Sequence, residues 1–291
     1  MAGSGQYLAK RMPEQSVAAR RQAVEPAPAE ALKPVAVPRS PLPQWYEALS
    51  RSLGPQHWWP AETPLEVIVG AILTQSTAWV NVERAIANLR DAGMLSPRAL
   101  RDVPFAKLAR LVKPSGYFRQ KARKLKAFVR FLYERYDGSL EKMFATPTER
   151  LREELLEVHG IGPETADSML LYAGGHPVFV VDSYTKRVLM RHGLVGEKAG
   201  YEEMRALFEN HIARDARLYN EFHALLVQVG KNWCRPREAR CDRCPLREFL
   251  KAGQPRMERR SVQMSKRRSV QGSKSGRVAR RKSERRKKGT Q

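Results

Sequence analysis

Between residues 43 and 253, apolar positions recur with the three-to-four-residue spacing of helices that bury one face. Leu65, Val67, Ile68, Ala71 and Ile72 predict a buried helix, and Val82, Ala85, Ile86 and Leu89 predict the next. Ser96-Pro97 reads as an N-cap with proline at the first helical position. Two short amphipathic pieces follow, through Ala99, Leu100 and Val103, and through Leu108, Leu111 and Val112. From 121 to 136, Ala122, Leu125, Phe128, Val129 and Leu132 share one face. Further helices are expected from Thr148 through Leu151, Leu155 and Leu156, and over 163–172, 201–211 and 219–229. Only Val178-Phe-Val-Val181 reads as strand-like. The expectation is an all-α domain of about ten helices, in two lobes flanking a turn region at 137–147.

The flanks differ. Residues 1–42 are rich in Ala and Pro (Pro26, Pro28, Pro34, Pro38, Pro41) and read as a disordered or semi-extended lead-in. Residues 254–291 carry fifteen Lys and Arg against two acids, with almost no apolar residues to bury, and read as a disordered basic tail. The whole chain of 291 residues has a formal charge of +23, of which thirteen units lie in the tail and three in the lead-in, leaving seven for the helical part. Such a balance points to an acidic polymer, most simply nucleic acid. The tail is expected to act as a nonspecific polyanion-binding arm, the alternative being a solubilising extension. The run Val67–Leu73 is too short to span a bilayer, and the N-terminus has no apolar signal core. An intracellular, nucleoid-associated, monomeric protein with no membrane partner is expected.

The densest chemistry lies at Leu155-Leu-Glu-Val-His-Gly-Ile-Gly-Pro-Glu-Thr-Ala166. A helix should stop at Gly160, turn through Gly160-Ile161-Gly162 with both glycines free to take positive φ, and restart with Pro163 at N1. Ile161 can plug between the two helices. The turn leaves backbone N–H groups at a helix N-terminus, which suits a phosphate at Gly160, Ile161, Gly162 and Thr165. Asp182 follows the strand-like run and precedes a helical pattern, where an N-cap role alone would contribute about 1 kcal/mol.

The hairpin over 155–166, the Gly/Pro loop Ala173-Gly-Gly-His-Pro177 and the segment Val180-Val-Asp-Ser-Tyr-Thr-Lys-Arg-Val188 together resemble the endonuclease III superfamily of helix-hairpin-helix DNA glycosylases. The resemblance runs in order over roughly 45–250. It implies two helical lobes with the substrate cleft between them, double-stranded DNA with a damaged base as partner, and Asp182 as the catalytic carboxylate. It also implies that Gln75, in Leu65-Glu-Val-Ile-Val-Gly-Ala-Ile-Leu-Thr-Gln75, enters the duplex where the base has left. Relatives that also cut the strand use a lysine in the hairpin's second helix, and the matching position here is Glu164, eighteen residues before Asp182. A carboxylate forms no imine. The expected activity is therefore that of a monofunctional glycosylase, in which water attacks the sugar and leaves an abasic site.

Trp58, Trp59 and Trp79 are candidate walls for a flipped base, whose positive charge, if alkylated, gains from aromatic faces. Neighbours on a helix cannot face the same way, so one of Trp58 and Trp59 is expected in the core. These tryptophans and the basic stretch Lys113–Lys126, a candidate phosphate contact, are similar to the 3-methyladenine DNA glycosylase branch. That branch implies an alkylated purine substrate. Two alternatives remain open: a glycosylase for oxidised or mispaired bases with strand-cutting activity, and a non-catalytic DNA-binding protein. Cys234-x6-Cys241-x2-Cys244 matches three of four ligands of the family's iron–sulfur loop (234–250), and the fourth position is Leu250. Three outcomes stay open: a [4Fe–4S] cluster with another fourth ligand, a three-iron cluster, or a loop held by packing alone.

Overall fold

The computed structural model describes residues 40–256. The expectations for the lead-in and for nearly all of the basic tail lie outside them. Among the described residues there are twelve α-helices: α1 (Leu42–Leu53), α2 (Pro64–Leu73), α3 (Trp79–Asp91), α4 (Pro97–Asp102), α5 (Phe105–Leu111), α6 (Phe118–Tyr136), α7 (Leu140–Phe144), α8 (Thr148–Glu157), α9 (Pro163–Ser168), α10 (Ser183–Arg191), α11 (Tyr201–Glu209) and α12 (Ala216–Asn232). A π-helical turn, Met169–Ala173, continues α9. No strand forms among the described residues. The strand-like run 178–181 is extended but finds no partner strand, and its four side chains are buried.

Local chemistry sets several of these boundaries. Thr63 caps α2 by accepting the Glu66 N–H at 3.2 Å, with Pro64 at N1. Ser96 does the same for α4 through Ala99, and Asp215 for α12 through Leu218. Every residue of α2 from Leu65 to Leu73 is buried, which explains a helix with almost no polar face.

Two separate cores confirm the two lobes. The first gathers α2 to α9, with Ile68, Ile72, Phe128, Leu132, Leu155 and Met169 among its members. The second gathers α10 to α12 with Phe179, Phe208 and Phe222, and takes Leu42, Trp45 and Leu49 from α1. The division does not fall at 137–147. Met143 and Leu151, on either side of that turn, both enter the first core. Instead α1 lies in the second lobe, and the chain crosses to the first over 54–63 and returns after the π turn. Hydrophobic spacing marks helices but not which core each helix joins, and α1 reaches its core across more than a hundred residues of sequence.

Two buried cations brace the packing. Lys121 is 2% exposed and donates from Nζ to the Ser115 carbonyl. Burial lowers its pKa to about 8. Arg152 on α8 pairs with the fully buried Asp167 of α9 at 2.6 Å and with Glu202 of α11 at 2.6 Å. Tyr201 donates to the other Asp167 oxygen at 2.8 Å, so this cluster ties the lobes together.

Candidate active site

The two crossings and the facing helices enclose a cleft of about 780 Å³. That volume suits a small-molecule-sized ligand. Trp58 and Trp59 come from the first crossing, Gln75 and Trp79 from the α2–α3 connection, Glu164 and Thr165 from α9, Tyr172 from the π turn, Asp182 from the second crossing, and His223 and Lys231 from α12. Residues up to 173 positions apart in sequence therefore share one cavity.

Asp182 is the N-cap of α10, accepting the Thr185 N–H at 2.7 Å. Its side chain is 13% exposed. Burial works against its charge, but His223 and the Thr185 N–H outweigh it, and its pKa falls below the ordinary aspartate value. His223 Nε2 lies 3.8 Å from Asp182 Oδ1, just beyond hydrogen-bond length. The other ring nitrogen, Nδ1, is hydrogen-bonded to the Tyr172 hydroxyl.

Glu164 faces the open cleft, yet the surrounding walls strip part of its hydration. That desolvation, and then the Asp182 carboxylate, raise its pKa above the ordinary glutamate value. Two carboxyl groups in one cleft are thus pushed in opposite directions, the arrangement that separates an acid from a permanently charged partner.

The cleft's walls are aromatic. Trp58 lies 5.3 Å from Trp59 and 6.1 Å from Trp79, and Trp59 lies 5.2 Å from Trp79 and 5.3 Å from Tyr172, centroid to centroid. The expectation that either Trp58 or Trp59 belongs to the core is overturned. The segment 54–63 is not helical, so the two rings escape helical geometry and both line the cavity. The Lys231 ammonium stands 5.5 Å from the Trp58 ring centre.

The hairpin forms as the sequence indicates, with one change. Gly160 takes φ +82°, but Gly162 has φ −102° and serves as N-cap of α9. Only Gly160 needs glycine for its conformation. A Cβ there would also come within 2.5 Å of the Lys124 side chain, whereas at Gly162 it would meet nothing within 4 Å. Ile161 is 5% exposed and plugs the first core. The first turn of α9 leaves backbone N–H groups at its start.

Gln75 sits on this hairpin. Its Nε2 donates to the Gly160 carbonyl at 3.2 Å and to Thr165 Oγ1 at 2.9 Å, and Lys124 Nζ donates to its Oε1. Ser76, with φ +55°, turns the chain beside it. The Thr165 oxygen thereby accepts a bond inside the protein, and the residue is 7% exposed.

The cysteine loop packs on α10. An isolated β-bridge joins Cys234 to Ala239. Arg191, 5% exposed, donates to the carbonyls of Arg235 and Pro236 at 2.7 and 2.9 Å, and Arg187 donates to the Cys234 carbonyl at 2.6 Å. The three thiols and Leu250 border a space of only about 10 Å³. That is room for one water-sized sphere. At the fourth corner stands a buried leucine, which donates nothing to iron. The neighbouring His192 has both ring nitrogens against backbone carbonyls, Val188 at 2.9 Å and Leu246 at 3.3 Å. Among the described residues, no three His, Cys, Asp or Glu side chains are gathered as a metal site. Three thiols, a leucine and one water's volume do not fit a four-iron cluster.

The sequence-derived residues Asp182, Glu164, Gln75, Trp58, Trp59 and Trp79 all meet at the cleft. The structure adds His223, Tyr172 and Lys231 to the cleft and Lys124 to Gln75. Tyr172 and His223 lie in helical segments whose apolar pattern reads as core. Lys124 is one of several basic residues in 113–126, and nothing local sets it apart.

A two-lobed helical body with a hairpin and an aspartate at the lobe junction is the architecture of a base-excision DNA glycosylase. The chain belongs to the HhH-GPD superfamily of base excision DNA repair proteins, whose family model matches residues 69–214. It is a DNA N-glycosylase related to endonuclease III. A candidate DNA repair glycosylase of Methanocaldococcus jannaschii is 47% identical over 206 residues, covering 70% of this chain and 93% of that protein. Endonuclease III of Thermotoga maritima is 29% identical over 188 residues, covering 65% and 81%. Among solved structures, the H. pylori 3-methyladenine DNA glycosylase bound to 1,N6-ethenoadenine is 30% identical, with a TM-score of 0.58, covering 65% of this chain and 96% of that one. An endonuclease III–DNA covalent complex, 20% identical with a TM-score of 0.64 over 75% of this chain and 97% of that one, shares the fold. No helix among the described residues is long and apolar enough to cross a membrane.

Proposed function

We propose that the protein is a monofunctional glycosylase that hydrolyses the N-glycosidic bond of an alkylated purine flipped from duplex DNA. The observation that carries this reading is the pairing in one aromatic cleft of an ionised Asp182 with Glu164, the residue standing where strand-cutting relatives keep a lysine. Asp182 stabilises the oxocarbenium-like sugar as the base departs and orients the attacking water. Glu164, with its raised pKa, can hold a proton for the leaving base. Trp59, Trp79 and Tyr172 supply flat faces for a purine, and a cationic purine gains electrostatically from them. The similarity to a 3-methyladenine glycosylase supports the same substrate class. Gly160, Ile161 and Gly162, with the backbone of Thr165, hold a phosphate, and Gln75 fills the gap left by the base. The enzyme acts as a monomer.

A second reading has one observation in its favour. Lys231 brings an amine to the cleft, and an amine can attack the sugar and cut the strand. Borohydride reduction during turnover separates the two: water chemistry leaves no protein–DNA adduct, whereas an amine nucleophile is trapped. For the cysteine loop, we infer that Arg187, Arg191 and packing hold it in place without an iron–sulfur cluster.

A further inference from the structure

We propose that Tyr172 and His223 form a hydrogen-bonded relay that fixes the charge and aim of the Asp182 carboxylate. His223 would then be a positioning residue for base excision. The proposal rests on the reading of Asp182 as the group that faces the sugar. This gives Tyr172 a role beyond that of a cleft wall and brings His223 into the chemistry.

A neutral imidazole carries one proton, on Nδ1 or on Nε2. Here Nδ1 meets the Tyr172 hydroxyl, and Nε2 is buried with no hydrogen-bond partner, 3.8 Å from Asp182 Oδ1. If Nδ1 held the proton, the bare Nε2 lone pair would face a carboxylate in a buried place, an arrangement with two acceptors and no donor. If Tyr172 donates to Nδ1, the proton sits on Nε2 and points at the carboxylate. Tyr172 is suited to donate, because burial and then Asp182 hold its own proton firmly. In the chain Tyr172 O–H to His223 N, then His223 N–H toward Asp182, every donor faces an acceptor.

The distance has a consequence. At 3.8 Å the last link is open, and a small side-chain rotation would close it to hydrogen-bond length. Catalytic hydrogen bonds often tighten only when substrate is bound. The other Asp182 contact, the Thr185 N–H, faces the helix and holds the carboxylate in place as a cap. Thr185 also favours the charged form, and His223 adds to it from the opposite element, α12. The remaining ionisable groups of the cleft are Glu164 on α9, Tyr184 on α10 and Lys231 on α12.

The test uses the full-length protein and single-turnover excision across pH. In His223→Leu the donor is gone, and the acid limb of the rate profile should move up by about one pH unit, with the rate on that limb falling by up to about tenfold. In His223→Gln an amide N–H replaces Nε2–H, and the acid limb should stay near the wild-type position. The same comparison in a Glu164→Gln background keeps Glu164 from contributing to the shift. Equal slowing by both substitutions, with an unmoved acid limb, would overturn the relay and leave His223 as packing. Long-range 1H–15N correlation spectra of the free wild-type protein give a substrate-independent reading. The relay requires the Nε2–H form of His223, with its preference weakened in Tyr172→Phe. An Nδ1–H form overturns it. If the wild-type protein releases no base at all, the glycosylase reading of the cleft fails while the spectra still decide the tautomer.

Discussion

Asp182 and His223 face each other at 3.8 Å from the N-cap of α10 and the middle of α12, with Thr185 binding the same aspartate from below. The aspartate has two separable duties, capping a helix and carrying charge. Asparagine caps helices about as well as aspartate. Asp182→Asn should therefore change stability by less than about 1 kcal/mol by urea unfolding. It should also slow single-turnover excision by about 10²-fold to 10³-fold or more, the scale expected on losing a preorganised electrostatic group. A variant that folds well and keeps its full rate would remove Asp182 from the chemistry.

The cysteine loop makes a spectroscopic prediction. With Leu250 at the fourth corner and one water's volume between the thiols, anaerobically purified protein should be colourless near 400 nm and free of iron and sulfide. Arg191→Ala should then loosen the loop, seen as faster amide exchange over 234–250. Stoichiometric iron with a matching absorbance would show that the loop rearranges around a cluster.

The lobe tie is testable by unfolding. Arg152→Ala leaves Asp167, which is fully buried, without its ion-pair partner. Removing one member of a buried pair costs about 3–5 kcal/mol. A loss of that size in urea is expected. A change under about 0.5 kcal/mol would show that Tyr201 alone satisfies Asp167.

Lys121 gives stability a pH dependence. Its pKa is about 8 when folded, against 10.5 for the free side chain. Between those values the unfolded chain binds more protons than the folded one, so stability from this group rises as pH climbs from about 8 toward 10.5. Lys121→Met removes the effect. The wild type should gain on the order of 1 kcal/mol relative to that variant between pH 7.5 and 10. A constant difference across that range would mean that Lys121 keeps its usual pKa.

Much of this was legible in the residues. The spacing of Leu125, Phe128, Val129 and Leu132 gives α6, Ser96-Pro97 gives the start of α4, and Gly160-Ile161-Gly162-Pro163 gives the hairpin. Asp182 and Glu164 were marked because each sits at a motif position. What escaped was long-range. Helical periodicity places Tyr172 and His223 on buried faces, where a polar tip among apolar neighbours looks like core until Asp182 is brought alongside. The lobe boundary escaped for a similar reason, since nothing local in Leu42, Trp45 and Leu49 says that they pack beyond residue 179. Trp58 and Trp59 share the cleft because their segment is not helical, which adjacent tryptophans alone do not reveal.

The most direct measurement is base release from duplexes carrying a single alkylated purine, with products identified, borohydride present in a parallel reaction, and Lys231→Ala as a control. The free purine should appear with a DNA strand that stays intact until treated with hot alkali, and no protein–DNA adduct should be trapped. Strand cutting without alkali, together with an adduct that vanishes in Lys231→Ala, would contradict water attack at this site.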